Sequence, residues 1–101
     1  MRFKKRYLKL NVFGASLSEE EAKQLVLEAV FSFLGEENSG KAGIAVKSFD
    51  SEKSVLLVKC NLSYLEKVIA ALALKRFFRG RDVALRLVKL SGSISKLSGK
   101  G

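Results

Sequence analysis

The residues of this chain best equipped for chemistry are cations, and they gather toward its end. Arg76, Arg79, Arg81, Arg86 and Lys89 fall in the run Lys75-Arg76-Phe77-Phe78-Arg79-Gly80-Arg81-Asp82-Val83-Ala84-Leu85-Arg86-Leu87-Val88-Lys89-Leu90, which continues as Ser91-Gly92-Ser93-Ile94-Ser95-Lys96. A guanidinium binds phosphate oxygens through two parallel N–H bonds, and an ammonium does so as a point charge. The pattern therefore suits gripping phosphates without reacting with them. Lys96 extends the series, and Ser91, Gly92 and Ser93 either offer backbone N–H groups and hydroxyls to a phosphate or form a simple turn.

Little else could carry out a reaction. Histidine is absent and Cys60 is the one cysteine. That removes histidine acid–base catalysis, a Cys–His nucleophile pair and a zinc site of the usual Cys/His type. Glu19, Glu20, Glu21 and Glu28 read as the solvated face of a helix, Asp50 and Glu52 fall in a predicted turn, and Asp82 stands among arginines as an ion-pair partner. No catalytic residue and no metal ligand is expected.

Charge agrees with a polyanionic partner. The chain has 101 residues and a formal net charge of +9. Residues 1–50 hold 8 Lys/Arg against 7 Asp/Glu, whereas residues 51–101 hold 11 against 3. Such asymmetry attracts polyanions at range and is screened by salt. RNA or DNA is favoured over a membrane, which would call for cations along an amphipathic helix. No apolar run reaches the length of a membrane span, and Met1-Arg2-Phe3-Lys4-Lys5-Arg6 is not followed by the apolar segment of a signal peptide. With an unpaired cysteine, a cytoplasmic location is expected.

The elements that must position these cations follow from periodicity. Residues 6–12 alternate, with Leu8, Leu10 and Val12 on one side and Tyr7, Lys9 and Asn11 on the other, as in a strand. Ser16 and Ser18 precede Glu19 and Glu21 at the offset of a capping box, opening a helix whose buried stripe is Ala22, Leu25, Val26, Ala29, Val30, Phe33 and Leu34. Gly35 is its natural stop, and polar residues 36–41 read as a loop. Residues 44–49 and 55–60 form a hairpin about Asp50-Ser51-Glu52-Lys53. Asn61 or Ser63 then caps a second helix with the stripe Leu65, Val68, Ile69, Leu72 and Ala73, closed by Gly80. Val83, Leu85 and Leu87 begin the last strand.

The order is βαββαβ, which predicts one α+β domain over residues 1–101. Two right-handed crossovers would place both helices on one face of a four-stranded antiparallel sheet, a ferredoxin-like, RNA-recognition-module-like (RRM-like) sandwich. That fold serves many functions. The uncovered sheet face should show Tyr7, Lys9, Asn11, Ala45, Lys47, Phe49, Val55, Leu57, Lys59, Ala84, Arg86 and Val88. Its central strand, Lys53-Ser54-Val55-Leu56-Leu57-Val58-Lys59-Cys60, has no aromatic, which disfavours base stacking of the RNA-recognition kind. Lys75, Arg76 and Arg79 are expected at a helix C-terminus, where the dipole also favours cations. Arg2, Lys4, Lys5 and Arg6 either join the basic patch or stand as a solvated arm. Leu27 and Phe31, with Leu34 between them and the buried stripe, widen the apolar band of the first helix beyond what one sheet needs; a terminus, a loop or another subunit, such as a second copy, would cover it.

The motifs also carry a resemblance. Lys4-Lys5-Arg6-Tyr7-Leu8 before a strand and long capped helix, Val58-Lys59-Cys60-Asn61, and Val83-x-Leu85-Arg86-Leu87-x-x-Leu90-Ser91-Gly92-Ser93-Ile94-Ser95-Lys96 together resemble archaeal ribonuclease P protein component 2. The resemblance implies a ferredoxin-like protein subunit of the ribonucleoprotein that removes the 5′ leader from precursor tRNA. It implies that the RNA subunit with Mg²⁺ is the catalyst, that the protein binds no cofactor itself, and that it acts on the RNA paired with component 3, meeting precursor tRNA indirectly. An RNA-packing protein of the same fold, ribosomal or otherwise, is the alternative. An acylphosphatase-type enzyme would want a glycine-rich phosphate loop with a following arginine after the first strand, where this chain has Val12-Phe13-Gly14-Ala15-Ser16.

Overall fold

The first strand obeys its alternation residue by residue. In a computed structural model describing residues 4–92, Leu8, Leu10 and Val12 of β1 (Lys5–Phe13) are buried, while Tyr7, Lys9 and Asn11 between them are only partly covered. β1 pairs antiparallel with β3 (Val55–Asn61) on one side and β6 (Ala84–Ser91) on the other, and β2 (Ala45–Asp50) adds to β3. The sheet order is β2-β3-β1-β6, so β2 and β6 are its edges. Asp50 shapes the β2–β3 turn, its Oδ1 accepting from the Glu52 and Lys53 amides at 3.0 and 3.2 Å.

α1 (Glu19–Ala42) begins on the expected capping box. Ser18 Oγ accepts from the Glu21 amide at 3.1 Å, and Glu21 Oε1 accepts from the Ser18 amide at 3.0 Å. The loop expected at residues 36–41 is instead helical. Gly35, at φ 85° and ψ 173°, breaks the helix and lets it restart in a new direction. Ser39 Oγ donates to the Val30 carbonyl and Asn38 Nδ2 to that of Leu34, at 3.3 and 3.4 Å, so side chains bridge the break. Glu37 and Lys41 form an i,i+4 pair at 3.4 Å, and Ala42 is buried. These polar residues are the solvated face of a helical segment rather than a loop. Phe33, expected in the buried stripe, is 46% exposed.

Neither Asn61 nor Ser63 caps the second helix through its side chain. A 3-10 turn, Leu62–Tyr64, leads into α2 (Leu65–Leu74) without a side-chain cap. Asn61 closes α1 instead: its Nδ2 donates to the Lys41 carbonyl at 2.8 Å. α2 buries Val68, Ala71 and Leu72; Ala73 is exposed, because Ala71 takes the inward position one turn after Val68. The helix ends at Leu74, before the glycine expected to close it. Residues 77–82 form a miniature hairpin of β4 (Phe77–Phe78) and β5 (Arg81–Asp82), turned at Arg79 and Gly80 with φ 51° and 80°. Two consecutive positive φ angles are the geometry of a tight strand reversal.

Both helices share one core with Leu8, Leu10, Val12, Leu56, Val58, Cys60 and Leu85, so they pack on the same sheet face. Phe78 and Val83 extend that core beneath the miniature hairpin. No helix among the described residues is long and apolar enough to cross a membrane.

Candidate nucleic-acid interface

The opposite sheet face differs from simple alternation in two places. Lys47 is an extra residue between the Val46–Val58 and Ser48–Leu57 pairs, and Val88 is an extra residue between the Leu87–Leu10 and Lys89–Lys9 pairs. Each bulge shifts the period-2 pattern by one residue. Phe49, expected on the open face, therefore pairs with Leu56 and packs against the core. Val88 gives its place on the open face to Lys89.

The resulting surface is more basic than alternation implied. Lys89 lies directly opposite Lys9, Lys9 opposite Leu57, and Lys59 one pair along opposite Tyr7. Leu57 is only 7% exposed although it lies outside the main core. Aliphatic lysine stems cover apolar surface in this way while leaving their ammonium groups in water. Arg86 opposite Asn11 continues the series toward one end, and Lys5 opposite Asn61 toward the other. Among the described residues no carboxylate comes within ion-pair distance of Lys5, Lys9, Lys59, Arg86 or Lys89.

The other expected phosphate ligands disperse around this face. Arg76 lies just beyond α2, where its carbonyl accepts the Val83 amide at 2.9 Å. Arg79 sits in the miniature hairpin, its guanidinium 5.1 Å from the Phe78 ring centroid, so a helix terminus does not account for it. Lys75 caps α2 and pairs with Glu28 at 3.4 Å. Arg81 is committed within the protein, donating to the Ser16 carbonyl at 3.3 Å and to Glu21 Oε2 at 3.2 Å. Arg6 points to the helix-bearing side of β1; its Nη1 donates to the Lys5 carbonyl at 2.9 Å and lies beside Gly92. Ser91 pairs with Tyr7 at the same end. Arg2, Ser93 and Lys96 lie outside the described residues.

Lys9 and Lys59, central to the basic face, and Phe13 were not among the candidate ligands. Alternation in β1 and β3 already placed Lys9 and Lys59 on the open face, and carrying that of β1 one residue further puts Phe13 beside Arg86, whose guanidinium is 5.8 Å from the ring centroid. The apolar band on α1 is also present, with Leu27 and Phe31 48% and 53% exposed and Leu34 half-buried against the core. Among the described residues, no group of three carboxylate or thiol side chains gathers where a metal ion could sit. The arrangement can bind anions over a broad area, and it places no acid–base pair there.

The family model for the Rpp14/Pop5 family matches residues 6–100. The chain is 29% identical to ribonuclease P protein component 2 of Pyrococcus abyssi over 101 residues, covering 99% of this chain and 86% of that protein. It is 30% identical to the Thermococcus kodakarensis protein of the same name, covering 99% and 84%. In fold it is similar to a chain of yeast ribonuclease MRP solved by cryo-electron microscopy, with a TM-score of 0.74 and 11% identity, covering 100% of this chain and 83% of that one.

Proposed function

Because this chain belongs to the Rpp14/Pop5 family, we propose that it is a protein subunit of ribonuclease P, the endoribonuclease that matures the 5′ end of tRNA. On this reading residues 1–101 are one RNA-binding ferredoxin-like unit, consistent with a four-stranded antiparallel sheet carrying two helices on one face. The RNA subunit with Mg²⁺ supplies the reactivity, and the protein supplies positive potential. It works in the cytoplasm with component 3 and meets precursor tRNA through the assembled particle.

The observation that carries the proposal is the Lys9–Lys89 pair. Like charges directly opposite on neighbouring strands destabilise a sheet, and here Lys59 and Arg86 add to the same field. A phosphate backbone laid across this face offsets that repulsion. Its binding releases condensed counterions, and its helices can then approach one another more closely. Arg76, Arg79 and Lys5 flank the track, while Arg81 chiefly holds the miniature hairpin to α1.

Reconstitution with the RNA subunit and component 3 at two salt concentrations tests this function. Adding the chain should increase cleavage of precursor tRNA, and the gain should shrink at the higher salt. No change in cleavage on adding it would defeat the proposal.

A further inference from the structure

Phe13, Ala73, Arg76, Ala84, Leu85 and Arg86 line an open groove of about 340 Å³ where α2 meets the β6 edge. Two of its features suit a nucleotide. One is an aromatic ring: Phe13 is 48% exposed, a large apolar area for an end-of-strand residue with solvent in front of it. The other is a pair of guanidinium-bearing residues, neither in an ion pair among the described residues. Arg86 is already held over the Phe13 ring, and the Arg76 backbone is fixed by its bond to Val83.

We propose that this groove is a binding site for one unpaired nucleotide of an RNA strand. Its phosphate lies between Arg76 and Arg86, and its base packs on the exposed part of Phe13. The proposal rests on the RNA-binding reading above and adds a ligand to it. A duplex favours the alternative contact, because its stacked bases are withheld and only its phosphates reach the lysine face. An unstacked base has a free π-face, and an aromatic ring beside arginines is the usual way proteins hold one. Stacking tolerates any base, so the groove is selective for unpaired structure rather than for sequence.

The test uses the full chain at low salt with three fluorescent probes: a five-residue oligouridylate, the same backbone with abasic riboses, and a short RNA hairpin. Phe13→Leu keeps an apolar side chain and removes the ring. It should weaken oligouridylate binding by about fivefold or more, the lower end of the loss expected for one base–aromatic stack, and leave abasic and hairpin affinities unchanged. Arg76→Gln, on an exposed side chain, should weaken oligouridylate and abasic binding alike. An F13L variant that loses nothing, or loses the abasic probe equally, overturns the groove; so does an R76Q variant with unchanged affinity for both strands. In those cases retained hairpin binding would leave the broader function standing, whereas a wild-type chain that ignores all three probes would sink both. Loss of a protein partner by F13L, with RNA affinity intact, would assign the groove to that protein and refute the nucleotide site.

Discussion

Lys9 and Lys89 face each other across the β1–β6 ladder, two ammonium-bearing side chains brought into register by the extra residue Val88. Among the described residues no carboxylate forms an ion pair with either lysine, so stability and binding should respond to substitution with opposite signs. Lys89→Gln should stabilise the domain by up to about 0.5 kcal/mol at low salt. The same change should weaken RNA binding and reduce the slope of log affinity against log salt by about one phosphate contact. Urea unfolding and RNA titrations on the same preparation measure the two effects. Parallel loss of stability and affinity would mean that Lys89 is structural.

Gly43 and Asn61 set the exit from α1. Gly43 adopts φ 65°, and a Cβ there would meet Asn61 Nδ2 at 2.8 Å. Gly43→Ala combines left-handed strain with that clash and should cost more than about 1 kcal/mol in chemical unfolding. Asn61→Ala should relieve the clash while leaving the Lys41 carbonyl without its donor. The double variant should therefore be less destabilised than the sum of the two single variants.

Glu21 gives the fold an acid-sensitive joint. Its hydrogen bond with the Ser18 backbone, reinforced by the Arg81 charge, holds its carboxyl below the usual value of 4.5. A lowered carboxyl value means that the folded state favours the ionised form, so the stabilisation is present well above 4.5 and fades as pH falls through the folded-state value. Glu21→Gln can still serve the capping box but cannot titrate. The stability advantage of wild type over E21Q should accordingly shrink on acidification, and thermal melts from neutral to acid pH read that difference directly.

Cys60 should resist chemistry until the domain opens. It is buried beneath the helices, and burial pushes its thiol up to about 11 from 9.0. A thiol reagent at neutral pH should label it only at the rate of unfolding. Because the folded state retains the proton, this contribution to stability is complete below 9 and declines toward 11. Rapid labelling of the native protein would contradict the placement.

The exposed band on α1 predicts an association. Leu27→Glu or Phe31→Glu should leave the domain folded, since both side chains are about half exposed, and should abolish an assembly detectable by sedimentation. Loss of folding would show that these residues belong to the core.

Much of this architecture was legible in the sequence because burial has a period. Leu8, Leu10 and Val12 could be placed from alternation, and Ser18 with Glu21 marks the helix start to the residue. The misplacements share a cause: a local irregularity shifts a period without an apolar signature. Lys47 and Val88 are ordinary strand residues whose extra place in the ladder appears only when the partner strand is aligned, and Phe49 changed face as a result. The restart of α1 after Gly35 was hidden by the polar composition of residues 36–41, which serves equally for a loop and for an outward helical face. At the site, charge located the arginines but not their use. Arg81 reads like Arg86 in a linear sequence, yet Glu21, distant along the chain, takes it into an ion pair.

The two ladder irregularities share one more property: Lys47 and Val88 each lie on an outermost strand of the sheet. An unprotected rim is a template on which a second chain can crystallise strand by strand, and a kinked rim spoils the fit. That defence should keep copies of this chain from coalescing rim to rim when they are brought close together.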